Sequence, residues 1–264
     1  MFWHSEFRPL QPNPGSGEGS YQEILPIPAL QSLLYCIWKL EWSGASHCEP
    51  AYYIVPDGTT DLLLTREEGK LQFYISVTGK TAQQIDLPPD SIWLGFRFFP
   101  GAFSYLFSVS LEGLAAASLP AAEVLPVEDL QFLESLRMQQ IPDLIGSVQH
   151  WLGQKSESLI SGPDGRIVGA IQQLHTWQTG FQVNKDLEAY LSQRQTRRKI
   201  EEATGLSPKS LWRVFRLQQI LRDPMARQGF FAMKDLGFTD QAHFIHDFKR
   251  LTGKTPGAFW LDEG

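Results

Sequence analysis

The hydrophobic pattern of this chain changes its period once, and that change limits the folds open to it. Between residues 35 and 107, short runs rich in β-branched and aromatic residues, such as LQFYISVTG and SIWLGFRFF, are separated by turn residues. Such runs are typical of antiparallel strands. From residue 129 onward, apolar residues recur at helical spacing. The sequence therefore predicts an α+β fold, with an N-terminal antiparallel β sandwich or barrel flanked by helices and an all-α C-terminal part.

A length of 264 residues is enough for two domains, each with its own core. The turn-rich segment SGPDGR at residues 161–166 marks the predicted joint, so the predicted domains are residues 1–160 and 161–264. The segment NPGSGEGS at residues 13–20 is predicted to be a surface loop.

Residues 129–152 predict two helices, with Pro142 opening the second. Their apolar side chains fall on stripes that pack either on the chain's own β domain or on a partner copy, and the sequence leaves both alternatives open. These side chains are Leu130, Leu133, Leu136, Leu144, Ile145, Val148 and Leu152.

The net charge has opposite signs in the two halves of the chain. Residues 1–164 contain 8 Lys and Arg against 19 Asp and Glu, a net charge of −11, whereas residues 165–264 contain 15 against 10, a net charge of +5. The value for the whole chain, −6, hides the basic half. An acidic half joined to a basic half is expected when each half meets a different partner. A basic surface that arose by chance is the competing interpretation.

The sequence contains no run of about 18 apolar residues, so no membrane span is predicted. The first ten residues, MFWHSEFRPL, lack a basic region followed by an apolar block, so no signal peptide is expected. Two cysteines, Cys36 and Cys48, cannot build a disulfide framework and favour a reducing compartment. We therefore expect a cytoplasmic protein.

Enzymatic function is disfavoured by the motifs. The segments TGKT at residues 78–81 and TGKTP at residues 252–256 resemble the end of a phosphate-binding loop, but Tyr74 and Phe248 stand where that loop needs its first glycine. The sequence has neither a G-x-S-x-G nor an H-E-x-x-H motif. We expect a protein that is not an enzyme and that needs no cofactor.

The segment LGFTDQAHFIHDFKRLTGKTP, residues 236–256, predicts a helix that begins at Thr239 or Asp240 and ends at Gly253. Apolar residues recur within it at the spacing of one buried stripe. The glycine of LGF permits a tight turn before the helix, which is the signal of a helix-turn-helix unit. Pro256 is expected to prevent the helix from restarting.

The residues off the buried stripe form a mixed, mostly polar set suited to base edges or phosphates: Gln241, Ala242, Ile245, His246 and Lys249. A helical metal pair of His243 and His246, with Asp240 and Asp247 nearby, is the competing interpretation. It lacks a third His or Cys close in sequence, so no metal is predicted.

A similar unit is predicted upstream. A short helix, DLEAYL at residues 186–191, precedes Ser192, a good N-cap for a second helix that runs to Gly205. A longer helix then begins at Ser207-Pro208 and ends at Asp223-Pro224. This helix of about 16 residues is about 24 Å long and stiff. It would hold the two units so that each could enter one of two adjacent major-groove turns, which lie roughly 34 Å apart.

The C-terminal part resembles the AraC family of bacterial transcription regulators. The resemblance covers residues 183–259 and rests on the start of the spacer helix, TGLSP, and on the following pattern near the C-terminus: Gly237-Phe238, Gln241, Phe244, Phe248-Lys249, Gly253 and Pro256. In the front half, VPDGTTDLLL (55–64) and LGFRFFPGAF (94–103) resemble the cupin-like β domain that precedes such modules in one branch of the family. The resemblance implies a double helix-turn-helix domain that binds DNA.

The family pattern also implies which residues contact DNA. Base- and phosphate-facing positions fall on Arg194, Arg197 and Arg198 in the first recognition helix and on Gln241, Ala242, Ile245 and His246 in the second. Phosphate contacts are implied at Lys199, Lys209, Lys249 and Lys254. Arg reads guanine and Gln reads adenine bidentately, each worth about 1–3 kcal/mol of discrimination. The implied partner is double-stranded promoter DNA. The β domain would sense a small-molecule effector or mediate dimerisation, and a homodimer and a contact with RNA polymerase also stay open.

The aromatic residues of the β domain have two interpretations. Trp38, Tyr53, Phe73 and Trp93 are candidates to line a ligand pocket, although aromatic residues at these spacings more often fill a core. We expect Trp93 to share the inner face of the sheet with Phe96 and Phe98.

Asp57 and Asp61 are expected to stabilise turns rather than to act as catalytic acids or bases. His47 is the one histidine of the β region, which argues against a catalytic metal.

A regulator that acts through protein contacts, with weakened DNA specificity, is the alternative function. It is kept open because Thr196, Ile200 and His246 depart from the family pattern.

Overall fold

In the computed structural model, the described residues are 7–11, 19–42, 51–67, 69–157, 165–176, 192–223 and 236–262. Several predictions lie outside these ranges: the helix at residues 186–191, most of the joint at residues 161–166, the greater part of the loop at residues 13–20, His47 and Cys48.

The described strands form two antiparallel units. A six-stranded sheet has the order β1-β2-β7-β4-β5-β8, and β3 pairs with β6 in a two-stranded ribbon. The strands are β1 (Gly19–Ile24), β2 (Leu34–Trp42), β3 (Ala51–Ile54), β4 (Thr60–Glu67), β5 (Lys70–Val77), β6 (Gln83–Asp86), β7 (Ser91–Phe98) and β8 (Ser118–Pro120). The α+β fold with an N-terminal antiparallel sheet is therefore confirmed, and the pairing of the described strands does not close into a barrel.

The helices follow the sheet or connect its last strands. They are α1 (Ala102–Phe107), α2 (Val127–Ser135), α3 (Ile141–Glu157), α4 (Gly165–Thr176), α5 (Gln193–Thr204), α6 (Pro208–Arg222), α7 (Gln241–Thr252) and α8 (Pro256–Asp262). None of these described helices is both long and apolar enough to cross a membrane.

Two sequence expectations about element limits are wrong. β1 begins at Gly19, inside the segment expected to be a loop, because its backbone pairs with the long strand β2 from Gly19–Trp42 to Ile24–Ile37. Pro256 begins α8 rather than preventing a helix. The first position of a helix needs no backbone N–H donor, so proline fits there well.

Side-chain alternation gives the large sheet two apolar faces. On one face, Leu62, Phe96 and Phe98 belong to the main core, a cluster that also holds Phe103 of α1. On the other face, the sheet-face cluster consists of Cys36, Trp38, Leu40 and Leu63. Because successive residues of a strand point to opposite faces, β4 and β7 contribute to both.

Trp93 is one residue out of phase with Phe96 and Phe98, and it packs against the sheet-face cluster instead. The expectation that the three residues share one face was therefore wrong.

The helices of residues 129–152 pack on their own chain. Leu133, Leu144, Val148 and Leu152 are buried in the main core, so the apolar stripes are covered without a partner copy. The stripes consequently supply no argument for a homodimer.

The main core continues into the helical part of the chain. Ile171 of α4, Ile200 of α5 and Leu211 and Phe215 of α6 lie in the same cluster as Phe98. A separate C-terminal core is formed by Val55, by Phe238 from the turn before α7, and by residues of α6, α7 and α8: Leu217, Ile220, Leu221, Phe244, Phe248, Leu251 and Phe259. The main core thus extends past the predicted joint.

The sheet-face cluster depends on a glycine in β7. A Cβ atom at Gly95 would lie 2.1 Å from Cε2 of Trp38 on the neighbouring strand, far closer than atoms can approach. We predict that Gly95→Ala destabilises the protein by about 1–3 kcal/mol, the usual cost of overpacking. Chemical denaturation of the full chain would measure this change.

The control is Gly146→Ala in α3, where a Cβ atom meets nothing within 4 Å. Alanine favours a helix over glycine by about 1 kcal/mol, so this variant is expected to be at least as stable as the parent. Equal stability of Gly95→Ala and the parent would contradict the packing argument.

Candidate functional site

Helix α5 is fixed at both ends by its own sequence. The hydroxyl of Ser192 accepts from the backbone N–H of Gln195, whose side chain returns to the backbone N–H of Ser192, and the two contacts form a capping box. Gly205 ends the helix in the left-handed conformation, with φ of 72°. The sequence predicted both ends correctly.

The inner side of α5 consists of few side chains, and they are buried. Thr196 is 3% exposed and Ile200 is 0% exposed. The carbonyl of Glu202 accepts from the backbone N–H of Leu111 at 2.7 Å, which ties the helix to the segment that follows α1. These contacts leave one side of α5 for solvent.

The outer side of α5 carries the predicted arginines. Arg194, Arg197 and Arg198 are all exposed. Glu202 lies 3.4 Å from Nε of Arg198 and 3.3 Å from Nζ of Lys199, so these two cations share one carboxylate. Arg194 and Arg197 have no such carboxylate within the described residues.

Helix α6 is the predicted spacer. The side chain of Ser207 accepts from the backbone N–H of Ser210, and Pro208 occupies the first turn. The helix has 15 residues, or about 22 Å at 1.5 Å per residue. Lys209, a predicted phosphate contact, is exposed near its N-terminus.

Helix α7 is the predicted second recognition helix, and the structure caps it as the sequence suggests. Asp240 accepts from the backbone N–H of His243 at 2.8 Å, and Gly253 ends the helix with φ of 74°. Gly237 makes the preceding turn, with φ of 77°, and Phe238 is buried beneath it.

The outer side of α7 presents the predicted set to solvent. The exposed residues are Gln241, Ala242, Ile245, His246 and Lys249. Lys254, just beyond the helix, lies with Nζ 4.7 Å from the ring of Tyr53 in β3. The predicted contact at Lys254 therefore adjoins the β domain rather than open surface.

A buried ion pair that sequence reasoning missed joins α7 to α6. A guanidinium nitrogen of Arg216 donates to Oδ2 of Asp247, and each side chain is 5% exposed. Arg213 adds a second cation at 3.8 Å. The guanidinium of Arg216 also lies 3.9 Å from the ring of Phe238, in cation–π contact. The available signal was the position of Asp247 between Phe244 and Phe248, on the buried stripe.

Burial lowers the pKa of Arg216, and the carboxylate of Asp247 opposes that effect. The pair sets the rotation of α7 about its axis, because turning the helix would take Asp247 away from Arg216. The outward direction of Gln241 and His246 depends on that rotation.

A cavity of about 120 Å³ lies between the sheet-face cluster and the β3–β6 ribbon. Trp38 and Trp93, both predicted to line a pocket, are among its lining residues. The other two candidates lie elsewhere. Phe73 is 8% exposed in the main core, and Tyr53 packs against Phe259 with ring centroids 6.4 Å apart.

One end of the cavity is polar. Asp61 accepts from Nε of Arg97 at 3.1 Å, from Nη2 of Arg97 at 3.0 Å and from the indole N–H of Trp38 at 3.0 Å. Asp61 stands in β4 and holds a buried ion pair, so its expected role in a turn was wrong. Burial raises the pKa of the Asp61 carboxyl, and the guanidinium of Arg97 opposes that rise.

Asp57 has the turn role that was expected for it. Its Oδ1 accepts from the backbone N–H of Thr59 at 2.9 Å and from the Thr59 hydroxyl at 2.8 Å. Its Oδ2 accepts from Nε2 of Gln11 at 2.7 Å. Both carboxylates at the polar end of the cavity are therefore hydrogen-bonded.

Comparison with known proteins gives two family matches. Residues 188–260 match a helix-turn-helix domain, and residues 22–120 match a domain of unknown function, DUF6597. No curated protein matches the chain.

Solved structures of ToxT from Vibrio cholerae are similar at low identity. One crystal form has 9% identity, covers 93% of this chain and 99% of that chain, and has a TM-score of 0.40. ToxT from strain O395 has 11% identity, with 80% and 88% covered and a TM-score of 0.36. The apo form of a ToxT point variant from strain SCE256 has 10% identity, with 93% and 97% covered and a TM-score of 0.37.

The capped helices and the helix-turn-helix match show that the C-terminal part carries a helix-turn-helix domain, a kind of module that binds DNA. More particularly, the helix-turn-helix domain lies in the C-terminal part and the DUF6597 domain in the N-terminal part, and neither match spans half of the chain. The helix-turn-helix domain supports a DNA-binding transcriptional regulator.

The Arg216–Asp247 pair gives a testable prediction. Asp247→Ala leaves a buried guanidinium without its partner, and we expect the free energy of unfolding to fall by about 3–5 kcal/mol. Urea denaturation followed by circular dichroism would measure the change.

The double variant Arg216→Met, Asp247→Leu replaces the pair by apolar side chains and should recover most of the loss. Glu201→Ala, at a partly exposed position of α5, is the control for removing a carboxylate and should change stability by less than about 0.5 kcal/mol. A loss in Asp247→Ala no larger than in Glu201→Ala would show that the pair does not hold α7.

Proposed function

We propose that the protein is a one-component regulator that binds promoter DNA in a sequence-specific manner through α5 and α7 and responds to a small molecule in its N-terminal cavity. The observation that carries the proposal is that α5 and α7 each have one buried side and one exposed side. Their inner sides are buried and their ends are capped, while Arg194, Arg197, Gln241 and His246 are exposed.

The exposed side chains have the chemistry that base reading requires. Arg offers two parallel donors to guanine, and Gln offers a donor and an acceptor to adenine. Lys209 and Lys249 are exposed cations suited to phosphates. The net charge of +5 in residues 165–264 would favour association with the polyanion.

The spacer supports the use of both helices on one duplex. Apolar side chains along the length of α6 are buried, namely Leu211, Val214, Phe215, Leu217 and Ile220. A helix held in this way does not bend freely, so the spacing of α5 and α7 is set before DNA is met. Less ordering entropy is then lost on binding.

Contacts between the cavity wall and the helices support a sensing role. Pro56, which lines the cavity, accepts at its carbonyl from Nε2 of Gln218 in α6 at 2.9 Å. The backbone N–H of Ala82, between lining residues Thr81 and Gln83, donates to the carbonyl of Leu251 in α7 at 2.6 Å. A molecule that moves these wall segments would act on α6 and α7. The coupling free energy between the cavity and the DNA-binding surface would then be about 1–3 kcal/mol, as is typical of linked sites.

Some features favour a second function, a regulator that acts mainly through protein contacts. Glu202 holds Arg198 and Lys199, and Lys254 lies over Tyr53, so several predicted DNA contacts already have partners. Selection from random duplex DNA with the full chain separates the two functions. Sequence-specific binding predicts an enriched motif and an affinity that falls steeply with salt, whereas no enrichment and no salt dependence would favour the second function.

The reading positions give a further prediction. With the selected duplex, Arg197→Ala and Gln241→Ala should each weaken binding by about 5- to 150-fold, the equivalent of 1–3 kcal/mol for a base contact. Each variant should also relax the preference at one position of the motif. Fluorescence anisotropy at fixed salt is the measurement.

Lys70→Ala is the matched control, because Lys70 is an exposed cation of the acidic half. Its affinity should stay within about twofold of the parent. If Lys70→Ala weakened binding as much as Arg197→Ala, the effect would be one of overall charge and the assignment of α5 as a reading helix would fail.

A further inference from the structure

The N-terminal cavity has walls from two separate β units. Trp38, Leu40, Leu63 and Trp93 come from the six-stranded sheet, and Ile54 and Ile85 come from the β3–β6 ribbon. These side chains give the cavity a largely apolar surface. Its apolar part would therefore hold a hydrocarbon body.

The space inside the cavity suits a body of about one ring. Its volume is about 120 Å³, close to the roughly 150 Å³ engineered cavity that binds benzene.

The polar end lacks one hydrogen-bond acceptor. Nε and Nη2 of Arg97 donate to Asp61, but Nη1 of Arg97 is buried and has no partner within the described part of the chain. Arg97 is 6% exposed and lines the cavity. A buried donor left without an acceptor is unfavourable, and a ligand that supplies the acceptor removes that penalty.

The charges at this end disfavour an ionic ligand. The lining contains two carboxylates, Asp57 and Asp61, against one guanidinium, that of Arg97. An anion would be repelled by the uncompensated carboxylate. A cation would compete with Gln11, Thr59 and Trp38, which already donate to the two carboxylates.

We propose that the cavity binds an uncharged, ring-sized organic molecule that carries one hydrogen-bond acceptor, such as a carbonyl oxygen, directed at Nη1 of Arg97. The inference rests on the sensing role proposed above and names the chemical class of the effector. The ring lies between Trp38 and Trp93 on the sheet side and Ile54 and Ile85 on the ribbon side.

Four probes with the same ring test the head group. Ligand-observed NMR titrations of the full chain would compare cyclohexanone, cyclohexane, cyclohexanecarboxylate and cyclohexylammonium. We expect cyclohexanone to bind at least about tenfold more tightly than each of the others, since one retained hydrogen bond from a charged donor is worth about that factor. Equal binding of all four probes, or no binding of cyclohexanone, would overturn the proposal.

Two variants locate the binding. Ile85→Trp fills the cavity from the partly exposed ribbon and should abolish cyclohexanone binding. Arg97→Lys keeps a cation beside Asp61 but removes Nη1, and it should reduce the preference for cyclohexanone over cyclohexane to less than about threefold. Arg66→Lys, the same change elsewhere on the sheet, is the control and should leave both affinities unchanged. Undiminished binding in Ile85→Trp would place the probe outside the cavity and sink the proposal.

DNA binding measured on the same samples separates this inference from the proposed function. Salt-dependent, sequence-specific DNA binding without cyclohexanone binding overturns the ligand class alone. Cyclohexanone binding that leaves the DNA affinity unchanged keeps the cavity assignment and removes the sensing role.

Discussion

Helix α6 contributes side chains to both large hydrophobic clusters of the described structure. Leu211, Val214 and Phe215 are buried in the main core with the sheet, and Leu217 and Ile220 are buried in the C-terminal core with α7 and α8. Because one rigid helix belongs to both clusters, neither can shift without moving it. The placement of α5, of α7 and of the cavity wall at Pro56 all depend on this shared helix.

Polar contacts then fix what apolar packing leaves free. A hydrophobic stripe determines which side of α7 is inside, but it tolerates rotation by a fraction of a turn. The buried pair of Arg216 and Asp247 removes that freedom, since charges buried at this depth must remain together. In the N-terminal part, Asp61 and Arg97 play a similar role, holding β4 to β7 on the cavity side of the sheet. Both pairs lie next to surfaces that the proposed function uses.

The cavity wall contacts α6 and α7 through backbone groups of two wall segments. Pro56 and Ala82 use carbonyl and N–H groups to hold α6 and the end of α7. Backbone groups in loops move with the strands that follow them, so a change in the ribbon reaches the helices over a short path. Such a path is a physical basis for coupling, which requires a ligand that binds the two arrangements with different affinity.

The sequence by itself determined the elements whose signals are local. Ser192, Gly205, Asp240 and Gly253 bound their helices as expected, because caps and left-handed glycines act within a few residues. The antiparallel character of the N-terminal part and the exposed sets on α5 and α7 followed from short-range periodicity in the same way.

Tertiary structure alone decided which distant residues meet. The pairing of β1 with β2, the ion pairs of Asp61 and Asp247, and the separation of Tyr53 and Phe73 from the cavity depend on contacts between segments far apart in the chain. The sequence near each of these residues does not indicate its partner. A buried charge or the edge of a strand can pair with any suitable group that the fold places beside it. Periodicity tells which way a side chain points, and only packing tells what it faces.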